Sequence, residues 1–451
     1  MIQIADKKRC CGCSACATRC PRHCITMKVD AEGFLYPEVN AAECIQCGLC
    51  EKVCPFIGQN GPRQPQSVYA AKNKDEETIR QSSSGGVFTA LAEQVISKGG
   101  VVFGVRFDES WQTVFDHTDN IEGLSAFRGS KYVQANVGKS FAEARDFLKA
   151  GRQVLFSGTP CQIAALHRFL QRDYDNLLTV DFICHGVPSP KVWQRYLQEV
   201  TQNARHAISD IQFRNKQDGW KRFNFVIGYD DASDHYHLSS WHKENHYMRI
   251  FLNDVILRPS CYDCKAKGGR SGSDMTIADF WGIAHWHPEL DDDKGINALL
   301  VNTPKGAAFL NQCELNKWES SREKVLSSNP ALMHSAKRHP RRTQFFSRLD
   351  DSESVTRLID DTLRITLGDR VRRFPRRLAV RVYLLLRKLT GGGKSVLAPS
   401  STIFESPIQK AFAGMDEEQI NKFCVLNVCF RSKNCGWKRY RMEIELGDSM
   451  E

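Results

Sequence analysis

The chain has 451 residues, 41% hydrophobic and 25% charged, which is enough apolar material for two or three ordinary soluble domains. Its 18 cysteines are unevenly placed: ten fall in the first 54 residues, which points to metal ligation in a reducing compartment and away from a disulfide-stapled secreted chain. The net charge of +10 is also concentrated, with nine basic residues and one acid, Asp369, between Arg364 and Lys388, so it describes that segment and implies no nucleic-acid partner. Met1-Ile2-Gln3-Ile4 runs straight into charged residues, which is not the apolar region of a secretory signal. No apolar run is long enough to span a membrane, so a cytoplasmic location is expected.

The first element is Cys10-x2-Cys13-x2-Cys16-x3-Cys20-Pro21, repeated 34 residues later as Cys44-x2-Cys47-x2-Cys50-x3-Cys54-Pro55. Each is the bacterial run for tetranuclear iron–sulfur ligation, in which the fourth cysteine serves the other cluster. One 4Fe–4S cluster is therefore expected on Cys10, Cys13, Cys16 and Cys54, and a second on Cys44, Cys47, Cys50 and Cys20. Zinc needs only two C-x2-C pairs and has no use for a third cysteine at the same spacing or for Cys-Pro. Gly12 and Gly48 let the loops approach a cube closely. Cys11 and Cys24 stand outside the pattern and read as bystander thiols.

Gly58 to Pro65 is turn-rich and polar, a linker closing this module. A strand follows near Val68 to Ala71. Ser82-Ser83-Ser84-Gly85-Gly86 then precedes Val87, Phe88, Leu91, Val95 and Ile96 at helical spacing. Such a helix start either binds an anion such as phosphate or is an ordinary cap with glycines for close packing. Val101 to Val105 is a strand, and Gly129-Ser130-Lys131-Tyr132-Val133 is a loop that offers Lys131 to an anion. Phe141 to Ala150 is helical. Two β-loop-α units follow: Gln153 to Phe156, the loop Ser157-Gly158-Thr159-Pro160-Cys161-Gln162 and helix Ile163 to Leu170; then Leu177 to Ile183, the loop Cys184-His185-Gly186-Val187-Pro188-Ser189 and helix Lys191 to Val200. The alternation predicts a largely parallel sheet, with ligands beyond the carboxyl ends of its strands.

Shorter, antiparallel strands are expected at Ile208 to Phe213, Phe223 to Tyr229 and His235 to Ser239, with a helix over Lys243 to Asn253. Short strands are expected within Ser273 to Gly282 and over Ile296 to Val301, and helix over Pro304 to about Ser335. Arg364 to Leu389 reads as a cationic amphipathic helix, interrupted at Pro375. It suits an anionic membrane surface, or else is a solvated face packed on its own domain or on an acidic partner. Gly391-Gly392-Gly393 is a hinge, and Cys424, Cys429 and Cys435 in the tail follow no ligand spacing.

Cys161, Cys184, Cys261 and Cys264 remain in the α/β core, two at strand ends and two as C-x2-C. Four thiolates from three loops close a cube or a zinc site, or are two inert thiols beside an isolated C-x2-C. Two upstream clusters favour iron, since a third 4Fe–4S cluster extends an electron path.

Ser83-Ser84-Gly85-Gly86, Gly129-Ser130-Lys131-Tyr132, Gly158-Thr159-Pro160-Cys161-Gln162, Cys184 to Ser189 and Cys261-x2-Cys264 followed by Ser273 to Asp279 occur in one order. They resemble the hallmarks of the family of coenzyme F-420 hydrogenase/dehydrogenase beta subunits, over about Val68 to Val301. The chain is similar to the bacterial form with a fused two-cluster module, found among polysaccharide-biosynthesis genes. The resemblance implies a flavin, normally FAD, beside a 4Fe–4S cluster, and two-electron exchange with a small substrate. It implies Ser83, Ser84, Gly85, Gly86, Lys131, Gly158 and Thr159 as cofactor-binding residues. His185 is then either a proton donor near the flavin or a structural loop residue. The implied function is an iron–sulfur flavoprotein oxidoreductase, with ferredoxin or another redox protein as partner, polysaccharide-biosynthesis enzymes as associates, and peripheral membrane contact through 364–388. The alternative is an electron-transfer subunit with no substrate of its own.

The expected fold class is α+β: a dicluster ferredoxin-like domain at 1–60, an α/β flavin and iron–sulfur core at 66–340, a basic helical region at 341–390 and a tail at 391–451.

Overall fold

In the computed structural model, residues 1–230 and 237–365 are described, together with the backbone of 428–431 and 437–440. Residues 1–363 form one compact unit. The basic segment beyond Ile365, the glycine hinge, most of the tail, and the start of the strand expected from His235 lie outside the described residues. In the second unit, β14 (Val428–Arg431) and β15 (Trp437–Tyr440) pair as an antiparallel hairpin. No helix among the described residues is long and apolar enough to cross a membrane.

The fold class is the expected one, a ferredoxin-type module followed by an α/β core. The module folds around the hairpin β1 (Ile25–Val29) and β2 (Leu35–Val39), with a short helix after each cysteine loop, Ala15–Arg19 and Leu49–Lys52. The remaining strands are β3 (Ser67–Asn73), β4 (Val101–Phe107), β5 (Thr113–Thr118), β6 (Val154–Gly158), β7 (Leu177–Phe182), β8 (Ile208–Asn215), β9 (Asn224–Tyr229), β10 (His237–Trp241), β11 (Met275–Asp279), β12 (Asn297–Val301) and β13 (Leu315–Glu319). Eight of them form one sheet in the order β13-β3-β12-β11-β7-β6-β4-β5.

The centre of that sheet, β11-β7-β6-β4, is parallel, and it holds both β-loop-α units read from the sequence. Both flanks are antiparallel, through β12, β3 and β13 on one side and β5 on the other. The parallel pairing is thus confined to the middle, where β6 and β7 are followed by helices Pro160–Leu170 and Pro190–Thr201. A second, three-stranded antiparallel sheet has the order β10-β9-β8.

Two expectations are corrected. The stretch from Pro304 to Ser335 is not continuously helical: helices Pro304–Leu310 and Arg322–Ser328 flank β13, which edges the sheet beside β3. The helix expected over Lys243 to Asn253 begins at His246, where Asn245 caps it by accepting from Met248 N. Helices Arg342–Leu349 and Val355–Leu363 pack Phe345, Leu349, Val355, Leu358 and Ile359 into the apolar cluster of β8, β9 and helix Pro190–Thr201, so the compact unit runs on past residue 340.

The module lies on the core. Cys11, Cys13, Ala15, Val53 and Phe56 share one apolar cluster with Phe141, Phe156 and Ile163. Polar contacts fix the register of docking. The half-buried Glu32, between β1 and β2, takes both guanidinium nitrogens of buried Arg342 at 2.7 and 2.6 Å. The linker is laid along the core, with Arg63 N donating to Gly268 O and the Asn60 side chain to Arg270 O.

Candidate metal centres

Both cysteine loops use the same backbone trick. Gly12 and Ser14 have φ of 70° and 61°, and Gln46 and Gly48, each 34 residues on, have φ of 53° and 71°. The left-handed turns fall at equivalent positions, but glycine occupies the first in one loop and the second in the other. The turns fold each C-x2-C-x2-C inward. One pocket is lined by Cys10, Cys13, Cys16 and Cys54. The other is lined by Cys20, Cys44, Cys47 and Cys50. Each pocket gathers three thiols of one run and the Cys-Pro thiol of the other.

Among the described residues, no three His, Cys, Asp or Glu side chains converge as a single metal ion needs; the thiols ring open volumes instead. Burial pushes the Cys10, Cys16 and Cys54 thiols up, so they do not ionise readily by themselves. Bound metal supplies the positive charge that makes such thiols ligands. Four facing thiols with an apolar rim that includes Ile2, Ile4 and Phe56 fit an iron–sulfur cluster.

The four core cysteines come together from three segments. Cys161 sits in the first turn of helix Pro160–Leu170 after β6, and Cys184 follows β7. Cys261 lies in the 3-10 turn Pro259–Asp263, and Cys264 ends it. The turn is tied to the β7 loop by the Pro188–Leu257 bridge and by Arg258 N donating to Val187 O. Gly186 has φ of 116°, and a Cβ there would stand 2.7 Å from Leu257 Cδ1 and 3.2 Å from Cys261 Cβ, so only glycine lets the two loops meet. Backbone N–H groups face the sulfurs, Gly186 to Cys184 at 3.3 Å and Val187 to Cys261 at 3.4 Å. Burial pushes Cys261 well up, and the proximity of Cys184, Cys161 and Cys264 pushes it further. Cys264 is pushed up to about 12, by burial first.

Sequence reasoning missed what joins these groups. Cys11, read as a bystander, is buried in the apolar cluster that holds Cys13 and packs against Cys161, and those two thiols push its pKa well up. It spans the step from module to core, and its position between two ligand cysteines gave no sign of this. Cys24 Sγ lies 3.4 Å from Cys20 Sγ, at the edge of the second pocket. Arg258 reaches from the core turn into the first cysteine loop, and nothing in its local sequence marks it.

The residues implied for the flavin divide into two groups. Ser83, Ser84, Gly85, Gly86 and Lys131 lie together. Ser83 Oγ accepts from Ser130 N at 2.6 Å, and Ser84 Oγ donates to Ile296 O at 2.8 Å. Gly86, with φ of 76°, caps helix Val87–Ile96. Gly85 is required by packing, because a Cβ there would stand 2.7 Å from Ala71 O and 2.9 Å from Asn297 N. The half-buried Lys131 ammonium donates to Arg128 O at 2.9 Å, and burial lowers its pKa to about 8. Gly158 and Thr159 stand with the thiols instead: Thr159 Oγ1 is 3.2 Å from Cys161 Sγ and 2.9 Å from Gln162 Oε1.

Around the serine–glycine loop the structure adds a cationic wall. Arg214 binds Asp279 through both terminal nitrogens, at 2.9 and 3.1 Å, and donates to Ser83 O and to the Tyr132 hydroxyl. Lys216 donates to Ser84 O. Arg214 Nε and Arg128 Nε are buried donors without a partner among the described residues, which fits a phosphate-bearing ligand at this loop. His185 is exposed at its edge yet crowded by the crevice walls. That crowding, then the cations Lys267 and Arg214, lower its pKa, and Asp279 opposes them. His185 thus belongs to the Cys184 loop and feels the charges of the Arg214–Asp279 pair.

Known proteins share this plan. Residues 9–57 match the 4Fe-4S dicluster domain. Residues 68–141 and 151–323 match the coenzyme F420 hydrogenase/dehydrogenase beta subunit, N-terminal and C-terminal parts. An F(420)H(2) dehydrogenase subunit of Methanosarcina mazei is 29% identical over 177 residues, 37% of this chain and 49% of that protein. An uncharacterized protein of Methanocaldococcus jannaschii is 25% identical over 206 residues, 39% of this chain and 56% of that one. The chain thus spans about half the length of the curated relatives it matches. A solved chain of the F420-reducing NiFe hydrogenase complex from Methanosarcina barkeri is similar over 65% of this chain and 95% of its own, at 13% identity and a TM-score of 0.41. Both parts of one family follow each other in order behind the dicluster domain, so the chain belongs to the family of coenzyme F420 hydrogenase/dehydrogenase beta subunits, in a form that carries its own 4Fe–4S dicluster domain.

Proposed function

We propose that the protein is an iron–sulfur flavoprotein oxidoreductase. Electrons enter at the dicluster module, cross a core 4Fe–4S cluster and reach FAD, which serves a small substrate. On this reading residues 1–60 are the dicluster domain, 66–340 the flavin and iron–sulfur core, 341–390 a basic helical region and 391–451 a tail. The observation that carries it is the placement of Cys11, buried with Cys13 of one quartet in the apolar cluster that packs against Cys161 of the other. When bound, the clusters supply single electrons and the flavin pairs them for two-electron chemistry.

The chain's own residues divide the work. Cys10, Cys13, Cys16 and Cys54 hold one cluster, Cys20, Cys44, Cys47 and Cys50 the second, and Cys161, Cys184, Cys261 and Cys264 the third. The backbone of Ser83 to Gly86, backed by Arg214 and Lys216, holds phosphate. His185 stands at the crevice to give or take a proton. Cys47 is exposed at the outer pocket, where a one-electron partner such as ferredoxin meets the module. The resemblance to the bacterial form supports a place in cell-surface polysaccharide synthesis, and the basic run 364–388 supports contact with an anionic membrane.

The test is Cys261→Ser with Cys264→Ser. The module clusters should still be reduced by a protein reductant, while stopped-flow flavin bleaching slows strongly. Equal bleaching rates, with loss of the core cluster confirmed by EPR and folding by circular dichroism, refute the path. A second reading is an electron-transfer subunit without a substrate. It is favoured by one relative, which is named as a subunit of a dehydrogenase. Turnover of any small substrate by the isolated chain would exclude it.

A further inference from the structure

Arg258 is fully buried, at 0% exposure. It stands at the head of the core turn that presents Cys261, and its guanidinium enters the first cysteine loop. Nε donates to Cys10 O at 2.7 Å, Nη1 to Gln134 Oε1 at 3.0 Å, and Nη2 to Leu35 O at 2.8 Å. Nη2 also points at Cys10 Sγ, 3.6 Å away. The Tyr36 ring lies over the cation at 4.3 Å. Its hydrogen-bond partners are carbonyls, an amide and a thiol, and among the described residues it forms no ion pair with a carboxylate. An arginine sealed from water without a counter-charge is expensive, so such residues are kept where an anion faces them. Among the groups that act on this one through charge, Cys10 leads, followed by Tyr36, Cys11 and Cys261. A cube of two ferric and two ferrous ions, four sulfides and four thiolates carries about −2, and one more negative charge after gaining an electron.

We propose that Arg258 is the resident counter-charge of the cluster held by Cys10, Cys13, Cys16 and Cys54, and that it raises that cluster's reduction potential so that electrons collect at the seam between module and core. Burial alone favours the less charged, oxidised form and lowers the potential. A fixed cation at the Cys10 sulfur favours the form with the added electron and opposes that effect. The guanidinium suits the task because it stays protonated throughout and its planar fork holds three acceptors at once. Arg258 acts through Cys10, so it is a positioning and tuning residue. The second cluster is ringed by Cys20, Cys44, Cys47 and Cys50, and the arginine in that pocket's lining, Arg22, is exposed.

The inference rests on the cluster assignment proposed above, and the test separates the two. Full-length wild type, Arg258→Gln and Arg258→Lys are purified anaerobically, their iron is counted, and the clusters are titrated with dithionite and followed by EPR. Arg258→Gln should shift one cluster to lower potential and leave the outer one unmoved; Arg258→Lys, which keeps the charge without the fork, should shift it less. Full iron with an unshifted or raised potential in Arg258→Gln overturns the proposal. If Cys10→Ser leaves every EPR signal unchanged, the cluster assignment itself fails. Should Arg258→Gln not retain its clusters, the wild-type protein decides: with 15N-arginine, pulsed EPR of the reduced cluster shows a nitrogen coupling that is absent in Arg258→Lys. Absence of that coupling in wild type overturns the proposal.

Discussion

Gly12 and Gly48 offer a paired test of how the module sits on the core. Both lie in the left-handed region, at φ of 70° and 71°, so alanine at either costs about 1–2 kcal/mol in backbone energy. Their surroundings differ. Nothing lies within 4 Å of a Cβ built at Gly48, whereas one at Gly12 would stand 2.6 Å from Arg258 Nη1, 2.9 Å from its Cζ and 3.0 Å from Gln134 Nε2. Arg258 has no free side to retreat to, because carbonyls, an amide and the Tyr36 ring hold it. Overpacking of this kind costs about 1–3 kcal/mol more. Gly12→Ala should therefore cost about 2–5 kcal/mol and Gly48→Ala about 1–2. The assay is anaerobic: cluster absorbance is followed after adding an iron chelator, with far-UV circular dichroism on the same samples. Gly12→Ala should release iron about tenfold faster than Gly48→Ala, as a difference of about 1.4 kcal/mol implies. Equal rates, or a greater effect at Gly48, would falsify the docked geometry of the first cysteine loop.

Other outcomes follow from the same contacts. Anaerobic protein should hold about twelve irons, four per thiol quartet, and Cys11→Ala should keep them all while slowing electron passage; loss of four irons would make Cys11 a ligand. Glu32→Gln takes the counter-charge from buried Arg342 and should cost about 3 kcal/mol in unfolding free energy, and an unchanged denaturation midpoint refutes that. Asp181 is buried, which raises its pKa to about 6 despite the hydroxyls of Ser271, Thr276 and Ser273. The folded state therefore holds the proton through a window, roughly pH 4 to 6, in which the unfolded chain has lost it, and wild-type stability from this group falls as pH rises across it. Asp181→Asn should thus gain more over wild type at pH 8 than at pH 5, measured by denaturant unfolding; a constant difference rules this out.

The two N-terminal cysteine runs were legible because cluster ligation by a tight loop is a local property: the spacing of each run is written within eleven residues, and its last cysteine goes to the other cluster by the same pattern. The β-loop-α units at β6 and β7 were legible for a similar reason, since hydrophobic period and turn residues are both short-range. The flanks of the sheet were not. Whether β3, β12 and β13 run with or against their neighbours is decided by which edge is left to pair, and short apolar runs carry no direction. The stretch after Pro304 read as helix for the same cause: β13 is five residues long and gains its strand state from the β3 edge.

Residue types alone thus marked which thiols could bind iron, and could not say what lies between them. Cys11 and Cys161 are 150 residues apart, and Arg258 meets Cys10 across 248. These meetings exist only once the module is docked and the turn at Pro259 has closed on the β7 loop. The reason is physical: a cluster loop is specified by backbone geometry over a few residues, whereas a buried cation can be held only by a seam that excludes water from both sides, and that seam is made by the tertiary fold.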